Sequence, residues 1–160
     1  INKGAEVYVA DILDGRLQKA LEFGAKGVIN SAKTDIKEEA MKIPGGDGFD
    51  CCIEACGQSV TFLNCIDCCA FAGNIILIGN GKKETTFLHS ILLKKELNVY
   101  GSRNSYPTDF KDVIDLISSG KVDVLKMVSD IYPMDRADEA FKALANNKGD
   151  LCKVLVKIAD

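Results

Sequence analysis

The stretch AEVYVADILDGRLQKALEFGAKGVIN, residues 5–30, decides the fold. It opens on a β-rich run, Ala5-Glu6-Val7-Tyr8-Val9-Ala10-Asp11, that closes on an acid. Asp14 then reads as the cap of a helix whose apolar positions Leu17, Ala20, Leu21 and Phe23 recur at helical spacing. Gly24 is the stop, and Gly27-Val28-Ile29-Asn30 is a second short strand. Strand, helix and strand in so short a span predict a βαβ unit and parallel pairing.

The same alternation runs outward along the chain. Residues 34–42 read as a helix closed by Pro44-Gly45-Gly46, and residues 49–55 as a third strand ending in Cys56-Gly57. A helix is expected over 59–71, ended by Gly73, and a fourth strand over 74–78, followed by the loop Gly79-Asn80-Gly81. A short helix over 87–93 and a fifth strand over 97–100 follow, with Gly101 behind. Phe110, Val113, Ile114 and Ile117 mark an amphipathic helix over 110–118; a further helix over 137–144 and a last strand over 153–158 complete the series. The class is α/β, with a doubly wound, mostly parallel sheet. Its early strands are continuous apolar runs, as when helices cover both sheet faces. The seam falls near Asn104–Thr108, separating residues 1–104 from 105–160.

The chain has 160 residues, 47% apolar and 27% charged, a globular composition long enough for a real core. Twenty Lys and Arg against 23 Asp and Glu give a formal charge of −3. That balance argues against a protein built to coat nucleic acid or an anionic membrane. Apolar runs such as Ile75–Ile78 are far too short to span a bilayer. Seven cysteines, an odd count with neighbours at Cys51-Cys52 and Cys68-Cys69, suit a reducing cytoplasm better than a disulfide framework.

Asp11 is the most informative single residue. In a dinucleotide-binding fold, an acid ending the second strand accepts hydrogen bonds from the adenosine ribose and repels the 2′-phosphate of NADP. An Asp also ends strands simply to start a turn, and the two readings stand about even. The glycine loop for the pyrophosphate belongs about 20 residues earlier, which is before Ile1.

With the whole series in view, the sequence resembles the zinc-type medium-chain dehydrogenase/reductase family. The matching stretches are Val7–Asp11 with Arg16, Lys19–Ala25, Val28–Asn30, Gly48–Gly57, Gly73–Gly79, Lys94–Leu97, Gly101–Asn104 and Asp138–Phe141. Gly101-Ser102-Arg103-Asn104 looks most like the polyol and sugar-acid branch, with its sorbitol-, L-idonate- and L-gulonate-type dehydrogenases. The resemblance implies a Rossmann-type sheet without its first strand, glycine loop and first helix, over residues 1–104. It implies that residues 105–160 return to a catalytic domain. That domain, with the catalytic zinc ligands and the four-cysteine zinc loop, lies upstream in the family, so this chain is expected to hold no metal ligands and no catalytic residues.

Residue by residue, the resemblance puts Asp11 and Arg16 at the adenosine ribose of NAD, and the backbone of Ala55, Cys56 and Gly57 along the adenosine side. Family members often carry Thr where Cys56 stands. Gly79 falls where the backbone passes the nicotinamide, Ser102 and Arg103 at the nicotinamide and the active-site mouth, and Lys153 near the pyrophosphate. The implied enzyme is a cytoplasmic homodimer or homotetramer acting on a small alcohol, polyol or sugar acid. Two rivals remain at this stage: a nucleotide-sensing module without catalysis, and a methyltransferase, which also places an acid after its second strand. The segment Tyr132–Phe141 favours the dehydrogenase, since it matches that family's returning segment.

Other candidates weigh less. Cys65-Ile66-Asp67-Cys68-Cys69 contains a C-x-x-C, yet no second ligand pair stands at zinc spacing. The thiols read as packing residues. His89, the only histidine, reads as a helix-surface residue, and no G-x-S-x-G elbow exists. Asn146-Asn147-Lys148-Gly149 reads as a turn before the last strand.

Overall fold

The computed structural model describes residues 1–43, 45–149 and 151–159. Pro44, expected to help close the second helix, lies outside them. The chain divides into two compact units. One comprises residues 1–33 and 105–160, the other residues 34–104.

In the first unit, β1 (Tyr8–Asp11) and β2 (Gly27–Asn30) pair in parallel around α1 (Asp14–Glu22), with Asp11 opposite Asn30. Leu17 turns the buried side of α1 inward at 4% exposure. Gly24 takes the left-handed conformation, φ +92°, that ends a helix without a Cβ penalty. Asp14 is not the cap. Leu13 stands at that position without a side-chain hydrogen bond, and Asp14 is the first helical residue. Its carboxylate instead accepts from Asn30 at 2.6 Å and Lys33 at 2.5 Å, tying the helix start to the end of β2. The rest of this unit holds α5 (Pro107–Ser118), β6 (Val128–Pro133), α6 (Ala137–Ala145) and β7 (Lys153–Lys157), with β6 and β7 in parallel. The expected turn at Asn146–Gly149 is present: Asn147 Oδ1 accepts the N–H groups of Gly149 and Leu151.

In the second unit, β3 (Phe49–Glu54), β4 (Cys69–Leu77) and β5 (Asn98–Gly101) form a parallel sheet with β4 in the middle. Helices α2 (Ile36–Met41), α3 (Ser59–Cys68) and α4 (Ser90–Lys95) belong to the same unit. Ala40, Cys52, Ile66, Cys68, Cys69 and Ile75 form its core. Asp35 caps α2, accepting from the N–H groups of Lys37 and Glu38. His89 is exposed at the start of α4.

Three sequence readings are corrected here. The helix expected to reach residue 71 ends at Cys68, and the chain turns at once into β4. Cys69 pairs with Phe49 and Asn74 with Cys51, so residues 70–73 bulge opposite the single residue Asp50. Ala72 takes φ +56° within that bulge, and a Cβ on Gly73 would meet Cys69 Sγ at 2.6 Å. The run 65–71, apolar apart from Asp67, satisfies helix and strand alike, and the tight fold-back decides between them. The fourth helix lies at 90–95 rather than 87–93, ended by Glu96 at φ +53°. Strand β6 was not expected, because Val128-Ser129-Asp130-Ile131-Tyr132-Pro133 mixes polar and apolar residues and pairs only with the distant β7.

Among the described residues, β1 pairs with β2 alone and β3 with β4 alone, and every strand pair is parallel. Coverage of both sheet faces does not hold along β3, where Cys52 and Glu54 are buried while Ile53 is 61% exposed. Ile75, fully buried at 0% exposure, anchors the middle strand. Replacing it with Ala should cost about 2–5 kcal/mol, the usual loss for a core isoleucine. The shift of the urea midpoint checks this; a cost below about 1 kcal/mol would mean that β4 is not the centre of this core.

Candidate functional site

Parallel pairing brings strand ends to one edge. Glu54 lies opposite Leu77, and Leu77 opposite Gly101, so β3, β4 and β5 finish in register. The turns that follow are 55–58, 78–81 and 102–104, which hold Ala55, Cys56, Gly57, Gly79, Ser102 and Arg103. The Ser102 N–H donates to the Leu77 carbonyl at 2.8 Å, continuing the β5 ladder past its end. Ser102 and Arg103 are exposed, as are Ala55 and Cys56.

The centre of this edge is a residue that the sequence reading passed over. Glu54 is 3% exposed and is the one buried charged side chain among the described residues. Its Oε1 accepts the Cys56 N–H at 2.8 Å, the Gly57 N–H at 2.8 Å and the Thr61 hydroxyl at 2.6 Å. The Gln58 N–H also donates to the carboxylate. Its backbone carbonyl accepts from Ile78 at 2.8 Å and Gly79 at 2.9 Å. Burial pushes the carboxyl pKa up, but these donors outweigh it and hold the group below the ordinary glutamate value of 4.5. A depressed pKa stabilises the fold above that ordinary value, and the contribution is lost as pH falls through the folded-state pKa. The signal was available in the sequence: an acid inside the otherwise apolar run Cys51-Cys52-Ile53-Glu54-Ala55.

Two glycines make this packing possible. Gly57 has φ +68°, which favours glycine, and a Cβ there would meet the Asn80–Gly81 peptide at 2.8 Å. A Cβ on Gly79 would stand 2.2 Å from Gly57 N and 2.3 Å from Glu54 Oε2. The two turns therefore touch backbone to backbone, and neither admits a side chain at the contact.

In the first unit, Asp11 ends β1 with a side chain only 18% exposed. Its Oδ1 accepts the Leu13 N–H at 2.9 Å, and its Oδ2 lies 3.4 Å from Arg16 Nη1. The turn-starting role weighed in the sequence is thus real. It fixes the carboxylate at the carboxyl end of the strand, where a ribose acceptor would be needed. The ion pair itself is half in solvent and worth at most about 1 kcal/mol. Lys153 is exposed at the amino end of β7, opposite Val128.

None of the seven cysteines is bridged in a disulfide. Cys52, Cys68 and Cys69 are buried, and Cys51, Cys56 and Cys152 exposed. The Cys52 thiol is pushed up by the hydrogen bond it gives Cys65, which lowers Cys65 in turn; burial raises Cys68 to about 11. Among the described residues no group of three His, Cys, Asp or Glu could hold a metal ion, and no helix is long and apolar enough to cross a membrane.

The carboxyl edge of a parallel α/β sheet is the setting in which nucleotide cofactors are held. The sequence profile described as "Zinc-binding dehydrogenase" matches residues 2–119. The chain belongs to the zinc-binding dehydrogenase family. Its relatives include the zinc-type alcohol dehydrogenase-like protein YdjJ of Escherichia coli (strain K12), 32% identical over 97% of this chain and 44% of that protein. Sorbitol dehydrogenase 1 of Saccharomyces cerevisiae is 25% identical over 94% of this chain and 44% of its own. Among solved structures, the alcohol dehydrogenase rspB of Escherichia coli CFT073, complexed with NADH, superposes with a TM-score of 0.88 at 26% identity, over 96% of this chain and 44% of that one. The chain thus spans less than half the length of the relatives it matches.

Gly79→Ala should destabilise the protein by about 1–3 kcal/mol, the cost of overpacking a tight contact. Chemical denaturation checks it. An unchanged midpoint would show that the 78–81 turn can move away from Gly57 at no cost.

Proposed function

We propose that this chain is the NAD-binding part of a zinc-dependent dehydrogenase that moves hydride between NAD and an alcohol, polyol or sugar acid. The observation that carries the reading is the carboxyl edge of β3–β4–β5, with two turns packed backbone to backbone at Gly57 and Gly79. Ligands of open parallel α/β sheets bind outside the carboxyl ends of the strands, and these turns stand there, each held in place by the other. NAD supplies the hydride acceptor; the protein supplies orientation, which accounts for much of the rate in such reactions.

In this reading Asp11 accepts hydrogen bonds from the adenosine ribose, and Arg16 keeps its second oxygen aimed outward. Ala55, Cys56 and Gly57 line the adenosine side with backbone, which spares the site any dependence on a strong donor at Cys56. Gly79 lets the nicotinamide half lie against the chain. Ser102 and Arg103 stand at the mouth of the active site, and Lys153 serves the pyrophosphate. The catalytic zinc of this reading is that of the intact enzyme, as the zinc-binding dehydrogenase family assignment supports.

Residues 105–160 form the segment that returns to a catalytic domain. The exposed apolar face of α5, with Phe110, Val113 and Ile114 each more than half exposed, supports this. Seven free thiols suit a cytoplasmic enzyme, and the family assignment favours a homodimer or homotetramer with catalytic function over a sensing module or a methyltransferase.

The intact protein should use NAD in preference to NADP when assayed on sorbitol and related polyols. A carboxylate at the ribose repels the 2′-phosphate. Asp11→Ser keeps an oxygen for the Leu13 N–H but removes the charge. It should cut the NAD-to-NADP ratio of kcat/KM about tenfold, equivalent to ~1.4 kcal/mol. Equal use of both cofactors by the unmutated protein would refute the placement of Asp11.

A further inference from the structure

We infer that Glu54 is the positioning residue of the cofactor site, a buried carboxylate that locks the 55–58 turn to the 78–81 turn; this rests on the NAD reading above. The side chain gathers the N–H groups of Cys56 and Gly57 on one oxygen, with Thr61 from the first turn of α3 as a third donor. The backbone carbonyl of the same residue gathers Ile78 and Gly79. The other carboxylate oxygen faces Gly79, where a Cβ would come within 2.3 Å of it.

The consequence is directional. Cys56 and Gly57 turn their N–H groups inward to the carboxylate. The remaining face of that turn is fixed by hydrogen bonds rather than left to the ligand. An ionised acceptor suits this task, because hydrogen bonds to a charged oxygen are roughly twice as strong as neutral ones. A cofactor that meets a preorganised turn loses less entropy on binding than one that must order it. Glu54 itself, at 3% exposure, has almost no surface to offer a ligand. It acts through the turns, and its loss should be felt most by a ligand long enough to touch both.

The test uses the intact protein and two probes, NADH and AMP, titrated by fluorescence and calorimetry. AMP reaches only the adenosine-side turn, whereas NADH spans both. Glu54→Gln preserves size and one acceptor oxygen but places an NH₂ group where the second oxygen faced Gly79. The expected result is a Kd for NADH raised about tenfold and for AMP about threefold. Two results would overturn the inference: NADH affinity within twofold of the unmutated protein, or equal losses for both probes, which a general loosening of the fold would give. If Glu54→Gln shows no cooperative thermal transition, Thr61→Val carries the test. It removes one donor from the same oxygen and should weaken NADH about threefold; unchanged NADH affinity overturns the inference. Failure of the unmutated intact protein to bind NADH at all would instead refute the NAD reading itself.

Discussion

A single ionised carboxylate, taken out of water at the end of β3, sets the arrangement of the carboxyl edge. Burying a charge costs several kcal/mol unless its oxygens are met by donors. Glu54 is met by three backbone N–H groups and a hydroxyl, all within seven residues along the chain. The cost of burial is offset only in the conformation where the 55–58 turn wraps the carboxylate. The charge therefore selects that conformation as much as it stabilises it.

The strands beneath must be equally fixed for the carboxylate to matter. Ile75 and Cys69, both without exposed surface, hold the middle strand against α3 and α2 through Ile66, Cys68 and Ala40. Register then carries that rigidity to the edge, because Glu54, Leu77 and Gly101 stand in one row. In the other unit a weaker version of the same device operates. Asp11 is fastened by the Leu13 N–H and steered by Arg16, with half of the ion pair in solvent. The Asp11 carboxylate keeps some contact with water, at 18% exposure, whereas that of Glu54 is enclosed by its donors.

Much of this was legible in the sequence. The parallel α/β order followed from strand and helix periodicities and from Gly24, Gly57 and Gly79 standing where turns must be tight. The turn that Asp11 starts was legible, because an acid closing a short β-rich run commonly accepts a backbone N–H two residues on. Glu54 was not, although it stands in plain view, because a strand acid is normally discounted as solvent-facing and only the three-dimensional turn reveals its donors. The end of α3 was misjudged for a related reason. Residues 65–71 are apolar apart from Asp67, at a spacing that fits either structure, and the deciding event, a bulge of four residues against Asp50, is set by pairing with β3. Strand β6 escaped notice because its stability comes from β7, more than twenty residues away.

We propose that NAD meets the turns gathered around Glu54 in one unit and the Asp11 carboxylate in the other. Hydrogen–deuterium exchange on the intact protein, with and without saturating NADH, tests it most directly. The account predicts that added protection concentrates in residues 11–16, 55–58 and 78–81, while α5, over 107–118, exchanges as before. Protection confined to α5 or to β6 and β7, with the turns at 55–58 and 78–81 unchanged, would contradict it.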